Sequence, residues 1–154
     1  MNAASLKPLL LAADAGKRLN VLGDGITVLL HGRDTGGTVS VVLADGDPGH
    51  GPPPHVHHRE DETFYCVEGE VEGFCGDQKF KLTAGATAFL PRNIPHTWRV
   101  AGTRPAKIIV VLTPAGFEQF FEAVGALTPT EQADIPHVIA LGKQFGLDFL
   151  PPPQ

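Results

Sequence analysis

The stretch GHGPPPHVHHREDETFYCVEG, residues 49–69, carries a high density of groups that can bind a metal ion. It holds four of the chain's seven histidines and four carboxylates, and three consecutive prolines precede the first histidine pair. His55 and His57 are two residues apart, so on a β-strand both imidazoles point to the same face. Glu62 begins the next apolar run and can reach the same space from a neighbouring strand. These three residues are therefore candidate metal ligands.

A second stretch, LPRNIPHTWRV at residues 90–100, offers a fourth ligand. A tight turn at Pro91-Arg92-Asn93 is predicted to place His96 at the start of a strand. Three neutral imidazoles and one carboxylate suit a divalent Fe, Mn, Co, Ni, Cu or Zn ion, whereas Ca²⁺ and Mg²⁺ prefer oxygen ligands throughout. The sequence predicts one divalent transition metal per chain, bound by His55, His57, Glu62 and His96.

The pattern of apolar residues changes near Thr113. The whole sequence contains 18 Gly and 14 Pro. Before Thr113 these residues help to divide the chain into ten short apolar runs, a pattern typical of a β-sandwich or barrel. After it, four apolar residues recur at helical spacing: Phe117, Phe120, Phe121 and Val124. A second helical stretch is predicted from a capping signal at Thr128 to Gly146. We predict an all-β domain over about 18–113 with a helical extension over about 114–150 packed on it, within one domain spanning 1–154.

Composition limits the partners of this chain. Its 154 residues, 42% hydrophobic, suffice for one core, and its net charge of −5 is the opposite of what a phosphate backbone or an anionic membrane attracts. No stretch approaches the roughly 18 apolar residues of a membrane span, and the apolar run PLLLAADAG is shorter than a signal-peptide core. We expect a cytoplasmic protein whose partner is a small molecule, not nucleic acid or membrane.

The two cysteines are predicted to be free thiols. Two cysteines do not make a disulfide framework. If Glu68-Gly69 is a hairpin turn, Cys66 faces Val71 and not Cys75, which places the two sulfurs apart.

The first histidine-bearing stretch resembles the first of the two motifs that mark the cupin family. That motif, G-x5-H-x-H-x(3,4)-E-x6-G, is matched in full by Gly49, His55, His57, Glu62 and Gly69.

The second stretch resembles the other cupin motif, G-x5-P-x-G-x2-H-x3-N. It is matched at Gly85, Pro91 and His96, with Asn93 where the family usually has Gly and Val100 where it usually has Asn. Asn tolerates the left-handed backbone that Gly would supply, and the residue replaced by Val100 is not itself a ligand.

The cupin resemblance implies a double-stranded β-helix, or jelly roll, with the two histidines and the glutamate of the first motif and the histidine of the second on one metal ion. It also implies a homodimer. Within the family, the chain is similar to single-domain bacterial proteins described as quercetin 2,3-dioxygenase-like.

The surroundings of the four ligands can also be predicted. Phe64 and Trp98 are each two residues from a ligand on the same strand face, so they are expected to line the interior beside the metal. Phe89 is the third candidate for substrate binding. Residues near the ligands that are expected to be solvated at the rim are His50, His58, Glu60 and Asp61. The isolated His31 and His137 are not expected to be ligands.

Three functions are consistent with such a site. The first is a metal-dependent dioxygenase that cleaves or oxidises a small aromatic or enol-type, flavonol-like substrate with O₂, and Glu62 would be its general base. The second is a non-oxidative isomerase, lyase or hydrolase that uses the metal as a Lewis acid. The third is a small-molecule-binding protein without turnover. Dependence on O₂ separates the first from the second.

Overall fold

Two antiparallel sheets form the body of the protein in the computed structural model, which describes residues 6–151. Sheet A has six strands in the spatial order β1 (Arg18–Val21), β2 (Asp24–Leu30), β3 (Ser40–Gly46), β10 (Ala106–Thr113), β5 (Asp61–Glu68) and β8 (Thr87–Leu90). Sheet B has five, in the order β11 (Leu147–Phe149), β4 (His55–His57), β9 (His96–Val100), β6 (Glu70–Cys75) and β7 (Gln78–Thr83). A 3₁₀ turn, Gly32–Asp34, precedes β3. The predicted all-β fold is confirmed, because each of the ten apolar runs forms a strand.

The core lies between the two sheets and follows from the alternation of apolar residues along the strands. In β10, at the centre of sheet A, the buried residues are Ala106, Ile108, Val110 and Leu112, each separated by a more exposed residue. Inward side chains of sheet A join those of sheet B, such as Val71 and Trp98, in one apolar cluster. This period of two leaves every second residue of a strand facing the interior.

The connection between β5 and β6 corrects one prediction. Glu68-Gly69 is not a hairpin turn, because β5 pairs with β10 and β8 in sheet A whereas β6 pairs with β7 and β9 in sheet B. The chain crosses between sheets at Gly69, whose φ is 75° and where a Cβ would lie 2.5 Å from the carbonyl oxygen of Pro105. Only glycine fits this crossing. Cys66 and Cys75 are nevertheless free thiols, as predicted, since they belong to different sheets.

The C-terminal segment is helical, as predicted, but it is more divided than its sequence pattern suggested. It contains α1 (Glu118–Gly125), α2 (Pro129–Gln132) and α3 (Ile135–Gln144). The stretch from Thr128 to Gly146 was expected to be one helix. It breaks before α3, because Asp134 caps the backbone N–H of His137 and Pro136 has no N–H to continue the preceding helix.

Two further features of the C-terminal segment position the site. α1 packs on β1 and β3, and its buried face includes Phe120 and Val124. After Gly146, whose φ of 76° ends α3, the chain forms β11, a strand that was not predicted and that pairs with β4. None of the helices within residues 6–151 combines the length and apolar character needed to cross a membrane.

Candidate metal centre

Four side chains from three strands converge between the two sheets. His55 and His57 come from β4, Glu62 comes from β5, and His96 comes from β9, where it pairs directly with His55. One potential ligand atom from each residue lies within 4.8 Å of the other three, and all four residues are buried. The structure therefore brings together the four predicted ligands in a cluster that could hold one metal ion.

The two motifs are tied to each other by the turn that precedes β9. Asn93 has a φ of 65°, the left-handed conformation that its place in the motif required. Its backbone N–H donates to the carbonyl oxygen of His57 at 2.7 Å. The turn that delivers His96 is thus anchored on the strand that carries His55 and His57.

Glu62 and His96 are a hydrogen-bonded pair in this cluster. The Nε2 atom of His96 lies 2.8 Å from Oε2 of Glu62, and its Nδ1 atom lies 3.0 Å from the carbonyl oxygen of Ile94. Burial lowers the pKa of His96, but the hydrogen bond and charge of Glu62 outweigh burial and raise it overall. Burial would raise the pKa of Glu62, yet the charge of His57 and the hydrogen bond from His96 lower it to about 2. The carboxylate is therefore ionised.

The pKa of His55 is shifted in the opposite direction to that of His96. Burial, and next the positive charges that His57 and His96 can carry, lower its pKa to about 3. Its Nδ1 atom lies 2.8 Å from the carbonyl oxygen of Pro53, which holds the ring with Nε2 directed away from that carbonyl. A neutral imidazole with one nitrogen anchored is the form in which histidine coordinates a metal.

The cluster fits a divalent transition ion by the chemistry of its donors. In both His55 and His96 a backbone carbonyl satisfies Nδ1 and leaves Nε2 for the centre, and Glu62 supplies one anionic oxygen. A coordinating His96 must release the proton on Nε2 that it shares with Glu62, so protons compete with the ion for this site. The donor set does not distinguish between the first-row ions.

An apolar cavity of about 110 Å³ adjoins the cluster. His55, His57 and Glu62 contribute to its lining, and its aromatic walls are Trp98, Phe117, Phe120, Phe121 and Phe149. The ring of Phe117 makes an edge contact with the ring of His57, with centroids 4.3 Å apart. The helical spacing of these phenylalanines predicted an apolar stripe, but nothing local indicated that the stripe would face the cluster.

The three predicted pocket residues lie in three different environments. Trp98 lines the cavity. Phe64 faces inward as predicted, but it is packed in the core against Trp98, with ring centroids 6.2 Å apart. Phe89 does not line the cavity, because it is 62% exposed on the outer face of β8 while its neighbour Leu90 points inward. Successive residues of a strand face opposite sides, so both cannot reach the interior.

The rim predictions also need one correction. His50 and His58 are exposed, and Asp61 is partly exposed and paired with Arg92. Glu60, in contrast, is only 3% exposed, and it borders a cavity that is also lined by residues 114–116, Gln119 and residues 144–145. Its carboxylate approaches the far side of the ring of His57.

One carboxylate lines the cavity without belonging to the cluster. Asp24, at the start of β2, lies 3.7 Å from Nδ1 of His50. Burial raises its pKa to about 6, although the positive charge of His50 opposes this shift. This residue was not singled out from the sequence, because a lone Asp beside a turn carries no signal of burial.

Comparison with known proteins agrees with the geometry. Residues 42–112 match the family model described as the cupin domain. Over 119 residues, 77% of this chain, it is 32% identical to a quercetin 2,3-dioxygenase of Bacillus subtilis strain 168. Over 90 residues, 55% of this chain, it is 29% identical to a quercetin 2,3-dioxygenase of Aspergillus japonicus. The matched regions make up 35% and 25% of those two proteins, so this chain spans about a third or less of their length.

Solved structures share the fold. An RmlC-like cupin from Shewanella frigidimarina superposes with a TM-score of 0.62 over 73% of this chain and 96% of that one, at 20% identity. A likeness at this identity concerns the fold alone. Together with the family match, it confirms the resemblance to cupins that the two motifs indicated.

Proposed function

We propose that this chain, whose residues 42–112 match the cupin-domain model, is a metal-dependent dioxygenase acting on a small aromatic or enol-type substrate, with flavonols as the first candidates. The observation that carries the proposal is a buried cluster of three histidines and one glutamate that opens onto a cavity with aromatic walls. The quercetin 2,3-dioxygenase of Bacillus subtilis, similar over 77% of this chain, supports the choice of substrate class.

A bound divalent ion would supply Lewis acidity toward an enol or hydroxy-keto group and, if it is redox-active, a route for electrons to O₂. The imidazoles of His55, His57 and His96 and one oxygen of Glu62 would hold the ion. Each of these imidazoles must be neutral to bind, so protons compete with the ion and binding weakens as the pH falls.

Glu62 is the residue proposed to move a proton. Its carboxylate is ionised, and Oε2 borders the space shared by His57 and His96. This oxygen would accept the proton of the substrate hydroxyl and leave the substrate as its more electron-rich anion. The cavity would orient the substrate, because Trp98 and Phe117 present flat apolar surfaces that exclude water and favour a planar ligand.

The test begins with metal analysis of the purified chain and O₂-uptake assays with flavonols and simpler enols. Glu62→Gln should retain the ion and lose about 10²–10⁴-fold in turnover, because the amide keeps an oxygen ligand but cannot accept the proton. His96→Ala should lose metal and activity together. The matched control is His137→Ala, which removes an exposed imidazole of α3 that is not one of the four ligands and should leave both unchanged.

Two outcomes would overturn parts of the proposal. Turnover of an enol at the same rate without O₂ would replace the dioxygenase with a non-oxidative cupin enzyme. Full turnover by metal-loaded Glu62→Gln would remove Glu62 from the role of base.

A further inference from the structure

The three histidines of the cluster are not held in the same way. Backbone carbonyl oxygens lie within hydrogen-bond distance of Nδ1 in His55 and His96. The Nδ1 atom of His57 has no hydrogen-bond partner among the described residues, although the ring is only 2% exposed. His57 therefore lacks the anchor that orients the other two rings.

A second unpaired atom faces this one. Oε2 of Glu60 is also buried without a hydrogen-bond partner, and it lies 3.7 Å from Nδ1 of His57. Among residues 6–151, this is the one ion-pair contact of Glu60. The neighbouring Arg59 instead donates a hydrogen bond to the carbonyl oxygen of Gln144. Buried polar groups are rarely left without partners, so two such atoms facing each other indicate a pair.

We propose that Glu60 is the positioning residue for His57: its carboxylate accepts a hydrogen bond from Nδ1–H and thereby keeps the Nε2 lone pair directed at the cluster. The inference rests on the proposed metal site. An imidazole that coordinates through Nε2 carries its hydrogen on Nδ1, and metal-bound histidines commonly donate that hydrogen to a carboxylate or carbonyl. A movement of roughly 0.5–1 Å would bring the two atoms to hydrogen-bond distance.

The position of Glu60 explains why a carboxylate is used here. The residue follows β4 by three positions, and the rings of His55 and His96 are already served by the carbonyls of Pro53 and Ile94. The ring of His57 also makes an edge contact with Phe117, an apolar side chain that offers no acceptor. Glu60 is thus the group placed to select the tautomer of this ring.

The test measures metal affinity and tautomer directly, apart from turnover. Zn²⁺ or Co²⁺ is titrated into the metal-free full chain against a chelator, and ¹⁵N chemical shifts of the histidine rings report which nitrogen carries the hydrogen. In the parent, His57 should be the Nδ1–H tautomer. Glu60→Gln keeps the shape but not the obligate acceptor, so the Nε2–H form should appear and affinity should fall by about 10–100-fold.

A buried carboxylate outside the cluster supplies the control. Glu118 is buried and accepts hydrogen bonds from the backbone N–H groups of Gly32 and Gly116. Glu118→Gln should lower stability yet leave the tautomer of His57 and the metal affinity within about twofold, because Glu118 does not contact the ring.

The outcomes separate this inference from the proposed function. If Glu60→Gln binds metal within twofold of the parent and His57 keeps its Nδ1–H tautomer, Glu60 is not a positioning residue. If the tautomer and affinity change as expected but no substrate consumes O₂, the inference stands and the dioxygenase proposal fails. Glu60→Ala should reproduce the loss, and the isosteric Gln variant decides the matter if the Ala variant does not fold.

Discussion

The barrel strands and the C-terminal segment contribute to the same cavity in different ways. Residues 55–96 supply every atom of the metal cluster. Residues 114–151 supply none, yet they contribute a wall that contacts His57 through Phe117 and the strand β11 that pairs with β4. The positions of the ligands therefore depend on the alternation of side chains along each strand. Their enclosure depends on a segment that is distant in sequence and packs against the strands.

Strand β11 of the C-terminal segment also contacts the strand that carries two of the ligands. It pairs Leu147 with His57 and Phe149 with His55, so the strand that carries two ligands has β11 on one side and β9 on the other. Without β11, β4 would be an exposed edge strand of only three residues. A segment that provides no ligand can thus be required for the ligand geometry.

The largest effect is expected when the C-terminal segment is removed. Truncation after Thr113 should yield an insoluble or unfolded product, because Phe117, Phe120 and Val124 are buried and their contribution alone is roughly 5–9 kcal/mol, comparable to the whole stability of a domain. Solubility, circular dichroism and metal content of the truncated chain measure this. A folded truncate that binds one metal ion would show that the barrel strands are sufficient.

A smaller effect is expected from one side chain of the wall. Phe117→Ala should lower the free energy of unfolding by about 3–5 kcal/mol, since Phe117 is buried against His57, Phe120 and Phe121. Urea denaturation measures the change. Phe89→Ala is the matched control and should change stability by no more than about 0.5 kcal/mol, because Phe89 is exposed. Equal losses in the two variants would mean that Phe89 has a buried contact.

The smallest effect concerns a barrel residue that lines the cavity without being a ligand. The pKa of Asp24 in the folded chain, about 6, lies above its value in the unfolded chain. Its neutral form therefore favours folding at low pH, and this contribution is lost as the pH rises through about 6. Asp24→Asn cannot ionise, so its stability relative to the parent should rise between pH 4 and pH 7 and then level off.

The expected gain at pH 7 is roughly 1 kcal/mol, because solvent screens a side chain that is partly exposed. Denaturation curves at several pH values measure it. The comparison should be repeated in a His50→Ala background, since Nδ1 of His50 lies 3.7 Å from the carboxylate of Asp24. A pH-independent difference would contradict the raised pKa.

Local rules predicted much of the site and failed at identifiable residues. The i, i+2 spacing correctly placed His55 and His57 on one face, because a strand has only two faces. The turn that delivers His96 was predictable because it needs a left-handed backbone conformation, which Asn93 can adopt. The same rule of two strand faces should have excluded Phe89, whose neighbour Leu90 points inward.

The burial of Glu60 could not be predicted from its neighbours in the sequence. Three charged residues, Arg59, Glu60 and Asp61, follow the histidines, and their sequence pattern is that of a solvated turn. Asp61 meets this expectation, since it is partly exposed and pairs with Arg92, whereas Glu60 is buried near residues 114–116 and 144–145 from the distant C-terminal segment. No property of the three residues themselves distinguishes them.

The amino-acid sequence by itself determined the strands, the four converging ligands and the presence of an apolar helix, because periodicity and backbone conformation are set by neighbours in the chain. Only the tertiary structure decided that the chain changes sheets at Gly69, that Phe117 meets His57, and that Glu60 is buried facing Nδ1 of that ring. These contacts join residues on different elements, and their energies depend on which surfaces are excluded from water once the sheets and helices have packed.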